Sequence, residues 1–206
     1  MIQIINNFIS QEGAMTVRNS ALASGFGAWV PASAEVGSGR YEGMNFMCEH
    51  AIMLHALAGA LGKIVIPNSM FCRVTNKDTE KAYVHSDREA GSYTCIVYLS
   101  DHPGSNSGTG FYRHRETGMT SMPSFAELRQ NPDFFEKLKK QMVEGDEKDW
   151  ELMDFCAGSF GKALIFDAPL FHARNPKNGF GTTSEEGRMV WVCHFKLIDH
   201  TGHITS

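Results

Sequence analysis

Short apolar segments of strand-like composition fill the middle and the end of the chain, and they limit its fold more than any other feature. They are rich in β-branched and aromatic residues and lie at positions 63–67, 69–75, 82–86, 93–100, 110–114, 151–155, 162–166 and 188–198. Segments of this kind predict strands. Many short strands after a helical start predict a mainly β domain, a small barrel or sandwich that flanking helices buttress.

Helices are expected on both sides of the first strands. Ser10 is placed to cap a helix that ends near Gly25, and apolar residues repeat at helical spacing over residues 44–61. Residues 120–150 contain a second helical pattern and a charged run, so we predict a helical insertion there, either a lid over the site or an outer buttress. Without a linker or repeat, residues 1–206 are expected to form a single domain.

Composition narrows the classes of function. A formal net charge of −4 gives no basic field for a nucleic-acid backbone, so the sequence offers no strong nucleic-acid signal. The five cysteines are odd in number and form no Cys-x-x-Cys pair, which argues against a disulfide framework and favours a reducing compartment. Because the first residues resemble no signal peptide and no apolar run is long enough to span a bilayer, we expect a cytoplasmic protein without a membrane partner.

A set of potential metal ligands follows the strand pattern. His85 and Asp87 lie two positions apart at an expected strand end, so their side chains point to the same side. Far downstream, His172 closes an apolar strand. Two imidazoles and one carboxylate leave other metal positions open, which suits non-haem Fe(II) and oxygen chemistry. The alternatives are a solvated loop at residues 85–87 and a core histidine at position 172.

The last strand begins with an arginine. Alternation puts four residues on one of its faces: Arg188, Val190, Val192 and His194. A guanidinium inside an apolar barrel would be costly unless it met a carboxylate, and arginine offers a fork that fits one. His194 is expected to line the same interior. The alternative for Arg188 is a strand-end arginine in solvent.

Several motifs together resemble those of one enzyme superfamily. They are INNFIS at residues 5–10, YVHSD at 83–87, TCIVYLSD at 94–101, SGTGF at 107–111, FH at 171–172 and GR at 187–188. This set resembles the 2-oxoglutarate and Fe(II)-dependent dioxygenases, on their prolyl-4-hydroxylase-like side. It is more similar still to a poorly characterised bacterial and phage branch of that superfamily. The resemblance covers most of the chain, excluding residues 115–150.

The resemblance implies a fold, a metal site and a cosubstrate. The implied fold is a double-stranded β-helix, the jelly roll that cupins also have. His85, Asp87 and His172 would be the Fe(II) ligands and, with Arg188, the catalytic residues. The implied cosubstrates are 2-oxoglutarate and O₂, and ascorbate is a further candidate cofactor.

The resemblance also implies a binding site for 2-oxoglutarate. Arg188 would receive its distal carboxylate, and Tyr98 and Thr109 would add hydrogen bonds. Sixteen positions separate His172, the last expected ligand, from Arg188. This spacing is longer than the one expected between the same two residues in the superfamily. Arg174 and Lys177 are therefore rival anchors, although their position in an expected Pro/Asn/Gly loop makes them less rigid than a strand residue.

The activity that the resemblance implies is oxygenation of an unidentified small molecule or peptide, with release of succinate and CO₂. Relatives that halogenate would lack the carboxylate ligand, so Asp87 favours hydroxylation. Phe111, Phe166 and Trp191 are expected to keep water out of the cavity. A non-catalytic, cupin-like metal-binding or sensory module is the alternative function. The sequence predicts neither the substrate nor the oligomeric state.

Overall fold

The structure is a computed structural model that describes residues 1–24, 26–30, 40–43, 47–75, 84–100, 107–144, 146–176, 180–181, 183–198 and 204–205. Its helices are α1 (Gln11–Ala23), α2 (Met47–Leu61), α3 (Phe125–Gln130) and α4 (Pro132–Glu144). Its strands are β1 (Ile2–Ile5), β2 (Phe26–Val30), β3 (Arg40–Gly43), β4 (Ile64–Thr75), β5 (Tyr93–Tyr98), β6 (Gly108–His114), β7 (Trp150–Ala157), β8 (Ala163–Asp167), β9 (His172–Asn175), β10 (Arg188–Ile198) and β11 (Ile204–Thr205). Mainly β architecture with flanking helices is thus confirmed.

Two antiparallel sheets contain these strands. The larger has the order β1-β8-β5-β10-β4-β3-β2, with β11 also paired to β10, and the smaller has the order β7-β6-β9. Between them lies an apolar cluster that draws residues from both sheets: Ile96, Tyr98, Phe111, Cys156, Leu164, Phe166, Val190 and Val192. The interior of the sandwich is therefore the space between the two sheets.

Helices α1 and α2 cover the outer face of the larger sheet. Their buried residues, among them Val17 and Leu57, form one core with Val97 and Trp191. As the sequence predicts, Ser10 caps α1, and its hydroxyl accepts a 3.1 Å hydrogen bond from the Gly13 amide. α1 ends at Ala23, and Gly25 lies outside the described residues, as do residues 44–46 ahead of α2.

Strand β4 corrects one prediction. The sequence indicates two separate strands, over residues 63–67 and 69–75. The structure has one strand with a β-bulge: Ser69 lies opposite His194 and Pro67 opposite Phe195, so Asn68 has no residue opposite it in β10. Within the described residues, β3 pairs with β4 only at Val74 and Arg73. Pro67 therefore lies in a part of β4 that pairs with β10 alone, where a proline is tolerated.

Strand β10 has the predicted bounds and alternation. Val190 and Val192 point into the sandwich interior, whereas Trp191 and Cys193 belong to the core under α1 and α2. Trp191 therefore does not line the interior, and its predicted role in drying the cavity is wrong. Its indole N–H instead donates a 2.8 Å hydrogen bond to Nδ1 of the buried His50.

The predicted helical insertion is present as α3 and α4. Ser124 and Glu127 form a capping box at the start of α3, with the two reciprocal hydrogen bonds that define it. Leu138 of α4 is fully buried against Trp150 and Phe171, which ties the insertion to the smaller sheet. Within the described part of the chain, no helix has the length and apolar character needed to cross a membrane.

Candidate active site

The segment that carries His85 and Asp87 is bound to the smaller sheet through its backbone. The amide of His85 donates to the carbonyl oxygen of His172 and the amide of His172 donates back, both at 2.9 Å. The Asp87 amide donates to the Ala168 carbonyl, also at 2.9 Å. Of the predicted strand at residues 82–86, residues 82 and 83 lie outside the described chain. The described part lies beside β9, so two histidines distant in sequence become direct neighbours.

Three potential ligands meet at this point. Their donor atoms, on His85, Asp87 and His172, all lie within 4.8 Å of one another. The His85 Nε2 is 3.8 Å from Asp87 Oδ1, and the His172 Nε2 is 3.3 Å from Asp87 Oδ2. Ser86, between the first two, turns away and donates its hydroxyl to the Ala168 carbonyl.

Hydrogen bonds and electrostatics prepare these side chains for a cation. The Leu170 carbonyl accepts a 2.9 Å hydrogen bond from His172 Nδ1, which leaves Nε2 as the ring nitrogen that can bind a metal. Burial, then His172, lowers the pKa of His85 to about 3, although Asp87 opposes the shift. Burial raises the pKa of Asp87, but His172 and His194 outweigh it and hold that pKa well below its usual range. One anion and neutral imidazole donors are what a divalent metal requires.

A third histidine lies against the carboxylate. The Nε2–H of His194 donates to Asp87 Oδ2 at 3.3 Å, and its Nδ1 accepts a 2.7 Å hydrogen bond from the Ser69 hydroxyl. Thr94 donates its hydroxyl to the same Asp87 oxygen at 2.9 Å. Alternation along β10 predicts that His194 faces the interior. No local sequence pattern indicates its contact with Asp87, because that contact depends on how strands distant in sequence are aligned.

The predicted cosubstrate residues also converge. Arg188 is only 5% exposed, and its Nη2 donates to the Gly108 carbonyl at 3.3 Å. Its guanidinium lies 5.4 Å from the ring centroid of Tyr98, whose hydroxyl is hydrogen-bonded to Thr109 at 2.8 Å. Burial raises the pKa of Tyr98 to about 12 in spite of the opposing effect of Arg188, so the phenol stays protonated and able to donate.

Two further arginines share this region. Arg174 lies in β9 opposite Thr109, two residues beyond His172, so its expected placement in a less rigid loop is wrong. Burial, then Arg188 and Arg73, lowers the pKa of Arg174 to about 9, which leaves it charged at neutral pH. Arg73 lies on β4 opposite Val190, and no sequence motif marks it as a site residue. The other rival anchor, Lys177, lies outside the described residues.

The fold resembles that of solved structures of oxygenases. It resembles the non-haem α-ketoglutarate-dependent carbocyclase SnoK from nogalamycin biosynthesis, with a TM-score of 0.59 and 17% identity over 94% of this chain and 79% of that one. It also resembles HygX from Streptomyces hygroscopicus with nickel and 2-oxoglutarate bound, with a TM-score of 0.54 and 12% identity over 93% and 81% of the two chains. The fold is the double-stranded β-helix that the motif resemblance implied.

Sequence comparison assigns a family. The model of the family of unknown function DUF6445 matches residues 44–195. The chain belongs to DUF6445. No curated protein shows significant sequence similarity to it. The DUF6445 region contains all four predicted catalytic residues, His85, Asp87, His172 and Arg188, whereas the prolyl-4-hydroxylase-like placement remains a prediction.

In this DUF6445 chain the insertion borders the metal-ligand group. A cleft of about 170 Å³ is lined by Asp87 and Arg88 on one side and by residues that include Met122, Leu128 and Phe135 on the other. The guanidinium of Arg88 lies 3.9 Å from the ring centroid of Phe125 at the start of α3. The insertion thus buttresses the smaller sheet through α4, and it also forms one wall of a cleft beside Asp87 with residues of α3 and of the first turn of α4.

Proposed function

We propose that this chain is an Fe(II)- and 2-oxoglutarate-dependent oxygenase that hydroxylates its substrate. The observation that carries the proposal is the meeting of His85, Asp87 and His172 in one sandwich interior with the buried Arg188. Either feature occurs alone in other proteins. A metal held by the three ligands would bind the keto acid end of 2-oxoglutarate, and the buried guanidinium would bind the carboxylate at its other end.

The metal would be held by His85, Asp87 and His172, and their chemistry fits iron. Two imidazole nitrogens and one carboxylate oxygen, grouped on one side, are the donor set of non-haem Fe(II) oxygenases. When bound, Fe(II) would supply the reaction with O₂ that oxidises the substrate. The protein's part is to keep His85 neutral, which burial does, and the Asp87 carboxylate ionised, which His172 and His194 do.

Arg188, Tyr98 and Thr109 would bind the distal carboxylate of 2-oxoglutarate. The guanidinium supplies charge and directed N–H donors, and the hydrogen-bonded pair of hydroxyls keeps one proton that can be donated to the carboxylate. Phe111 and Phe166 pack edge to face at 5.2 Å between the two groups of residues and exclude water from this space.

The overall reaction consumes one molecule each of O₂ and 2-oxoglutarate. One oxygen atom enters the substrate, where a C–H bond becomes C–OH, and the other enters succinate as CO₂ leaves. Asp87 supports hydroxylation because a carboxylate ligand occupies the position that a halide would need. The solved structures SnoK and SnoN are described as a carbocyclase and an epimerase, so the fold also accommodates other oxidations.

An anaerobic titration followed by exposure to air tests the proposal. Metal-free protein should bind Fe(II) and 2-oxoglutarate together and develop a weak visible charge-transfer band. Air should then produce succinate, even without substrate, at a slow uncoupled rate. His172→Ala should abolish the band and the succinate, whereas His55→Ala, at an exposed position of α2, serves as the matched control and should retain both.

The outcomes separate two functions. Iron binding without any consumption of 2-oxoglutarate in air would indicate the non-catalytic, cupin-like metal-binding module. If His172→Ala and wild-type protein bind the same amount of iron, the three side chains are not a metal site and both functions are wrong.

A further inference from the structure

Arg88, which directly follows the candidate ligand Asp87, has hydrogen-bond donors that are not used within the described part of the chain. Its Nε and Nη1 atoms are buried, and neither has a hydrogen-bond partner among the described residues. A buried donor without an acceptor costs free energy, so folded proteins contain few of them. Two such donors on one guanidinium, next to a metal-ligand residue, indicate a site for an acceptor from a bound molecule.

Hydrogen bonds hold the backbone around Arg88 in place. The Arg88 amide donates to the Ser86 hydroxyl at 3.3 Å. The Ala90 amide donates to the Asp87 carbonyl at 2.8 Å, which closes a turn. The Ala90 carbonyl in turn accepts a 2.9 Å hydrogen bond from the side-chain amide of Asn68, at the bulge of β4. The turn therefore gives Arg88 a fixed position beside Asp87.

The insertion holds the other end of the Arg88 side chain. Its guanidinium carbon lies 3.9 Å from the ring centroid of Phe125, the first residue of α3. Phe125 is 55% exposed, so it is not a core residue. The ring attracts the cation through its π face and does not replace an oxygen acceptor. Phe125 therefore orients the guanidinium and leaves its N–H donors available.

The acidic side chains around Arg88 favour an acceptor with a single negative charge. The Glu127 carboxylate accepts hydrogen bonds from the Ser124 hydroxyl at 2.6 Å and from the Ser124 amide at 2.8 Å. Those two bonds lower the pKa of Glu127 more than the charge of Arg88 does. Glu89 is exposed and lines the same cleft as Arg88. One carboxylate would balance the guanidinium, whereas a phosphoryl dianion would also be repelled by Glu89.

The cleft beside Arg88 has a polar wall and an apolar wall. Its volume of about 170 Å³ is bounded by residues 86–90 on one side and by Met122, Leu128 and Phe135 on the other. Pockets that enclose a drug-sized molecule have about 300–1,000 Å³, so this cleft accommodates one group of a substrate. That group should present a charged acceptor to Arg88 and apolar surface to the insertion.

We propose that Arg88 binds a carboxylate of the substrate while the apolar chain next to that carboxylate packs against the insertion. This inference rests on the proposed function and names its substrate class, a carboxylic acid with an adjacent short apolar chain. Arg188 holds 2-oxoglutarate, and Arg88 holds the substrate in the cleft that Asp87 also lines. Because Asp87 belongs to both the cleft and the metal-ligand group, a substrate bound there lies next to the metal. Phe125 is a positioning residue for Arg88.

Carboxylate binding to the loaded protein tests the assignment. Protein held anaerobically with Fe(II) and saturating 2-oxoglutarate, which occupies Arg188, is titrated calorimetrically with sodium butyrate at ionic strength kept constant with chloride. Butyrate combines a carboxylate with a short apolar chain, and butyramide is its uncharged counterpart. Butyrate should bind wild-type protein, and butyramide should bind about tenfold or more weakly. Sodium phosphate should bind less tightly than butyrate because of Glu89.

Matched variants identify the residue. Arg88→Gln should weaken butyrate about tenfold or more while leaving 2-oxoglutarate affinity, read from the visible band, within about threefold. Arg88→Lys should restore part of the loss because the charge remains. Arg129→Gln removes an exposed arginine from the same helix, α3, and it should bind butyrate like wild-type protein.

Variants of Phe125 test how Arg88 is oriented. Phe125→Leu keeps an apolar side chain but loses the aromatic face, so it should weaken butyrate about two- to fivefold. Phe125→Tyr retains that face and should bind butyrate like wild-type protein. If the leucine variant binds as tightly as wild type, Phe125 does not position Arg88.

Each contrary result has a distinct meaning. The assignment is overturned if butyrate does not bind wild-type protein, or if Arg88→Gln and wild type bind it equally. Equal binding of butyrate and butyramide, or tighter binding of phosphate, overturns the choice of a carboxylate. A protein that never forms the iron and 2-oxoglutarate band fails at the proposed function. In that case, butyrate titrations of metal-free Arg188→Gln protein with and without Arg88→Gln still decide whether Arg88 binds a carboxylate.

A substrate screen gives an independent readout. Carboxylic acids with short apolar chains, free or within peptides, are compared with their amides for succinate release above the uncoupled rate. The acids should stimulate it more than the amides, and Arg88→Gln should raise the KM of the acids more than it lowers kcat. A best substrate without a carboxylate would contradict the proposal.

Discussion

His194 offers the sharpest test of how the fold prepares the metal site. In the structure its Nε2–H donates to Asp87 Oδ2 at 3.3 Å, while Ser69 fixes the opposite ring nitrogen at 2.7 Å. Thr94 donates to the same carboxylate oxygen at 2.9 Å. Replacing His194 with alanine removes one of the two donors that orient this oxygen, without touching a predicted ligand.

The expected magnitude follows from those contacts. A hydrogen bond to a charged group contributes about 1.5–3 kcal/mol, which corresponds to about 10- to 150-fold in an equilibrium constant. Because Thr94 remains and still orients Asp87, we expect the lower end, a loss of about 10- to 30-fold in Fe(II) affinity. His194→Gln should recover most of it, since the amide keeps an N–H donor of similar reach.

Anaerobic calorimetric titration of Fe(II) into the metal-free protein measures the effect. Thermal unfolding of the same samples separates weakened binding from a loss of folded protein. Wild-type affinity in a folded His194→Ala variant would refute the reasoning. Equal losses in the alanine and glutamine variants would also refute it, because the effect would then come from packing around the ring and not from its N–H group.

Three further predictions use other parts of the structure. Arg188→Gln should weaken 2-oxoglutarate by about 10- to 100-fold while Fe(II) affinity stays unchanged, and equal cosubstrate affinity would exclude Arg188 as its anchor. Trp191→Phe loses the hydrogen bond to His50 and should lower the free energy of unfolding by about 1–3 kcal/mol without changing Fe(II) affinity, as calorimetry and urea unfolding can check. The pKa of His85 falls from 6.5 to about 3 on folding, so as the pH is lowered this imidazole is protonated in the unfolded state before it is protonated in the folded state. The metal-free protein should therefore lose stability as the pH falls from 6.5 towards 3, and His85→Phe should flatten that dependence in urea unfolding.

Local sequence patterns predict a large part of this fold. The cap at Ser10, the helical insertion and the alternation along β10 follow from interactions between residues a few positions apart, and the structure has all three. The same local rules fail at β4, where a bulge at Asn68 carries one strand past a proline. The prediction that Trp191 lines the cavity also fails, because it relied on aromatic character although alternation along β10 puts Trp191 on the opposite face.

The order of His85, Asp87, His172 and Arg188 in the sequence was enough to predict a candidate site and its chemistry. Only the tertiary structure placed Arg73 and Arg174 on strands that face the same interior as Arg188, and His194 against the Asp87 carboxylate. The physical reason is the range of the interactions. Side-chain alternation comes from the covalent geometry of a few neighbouring residues, whereas these contacts depend on the register between strands that are distant in sequence and on the packing of one sheet against the other.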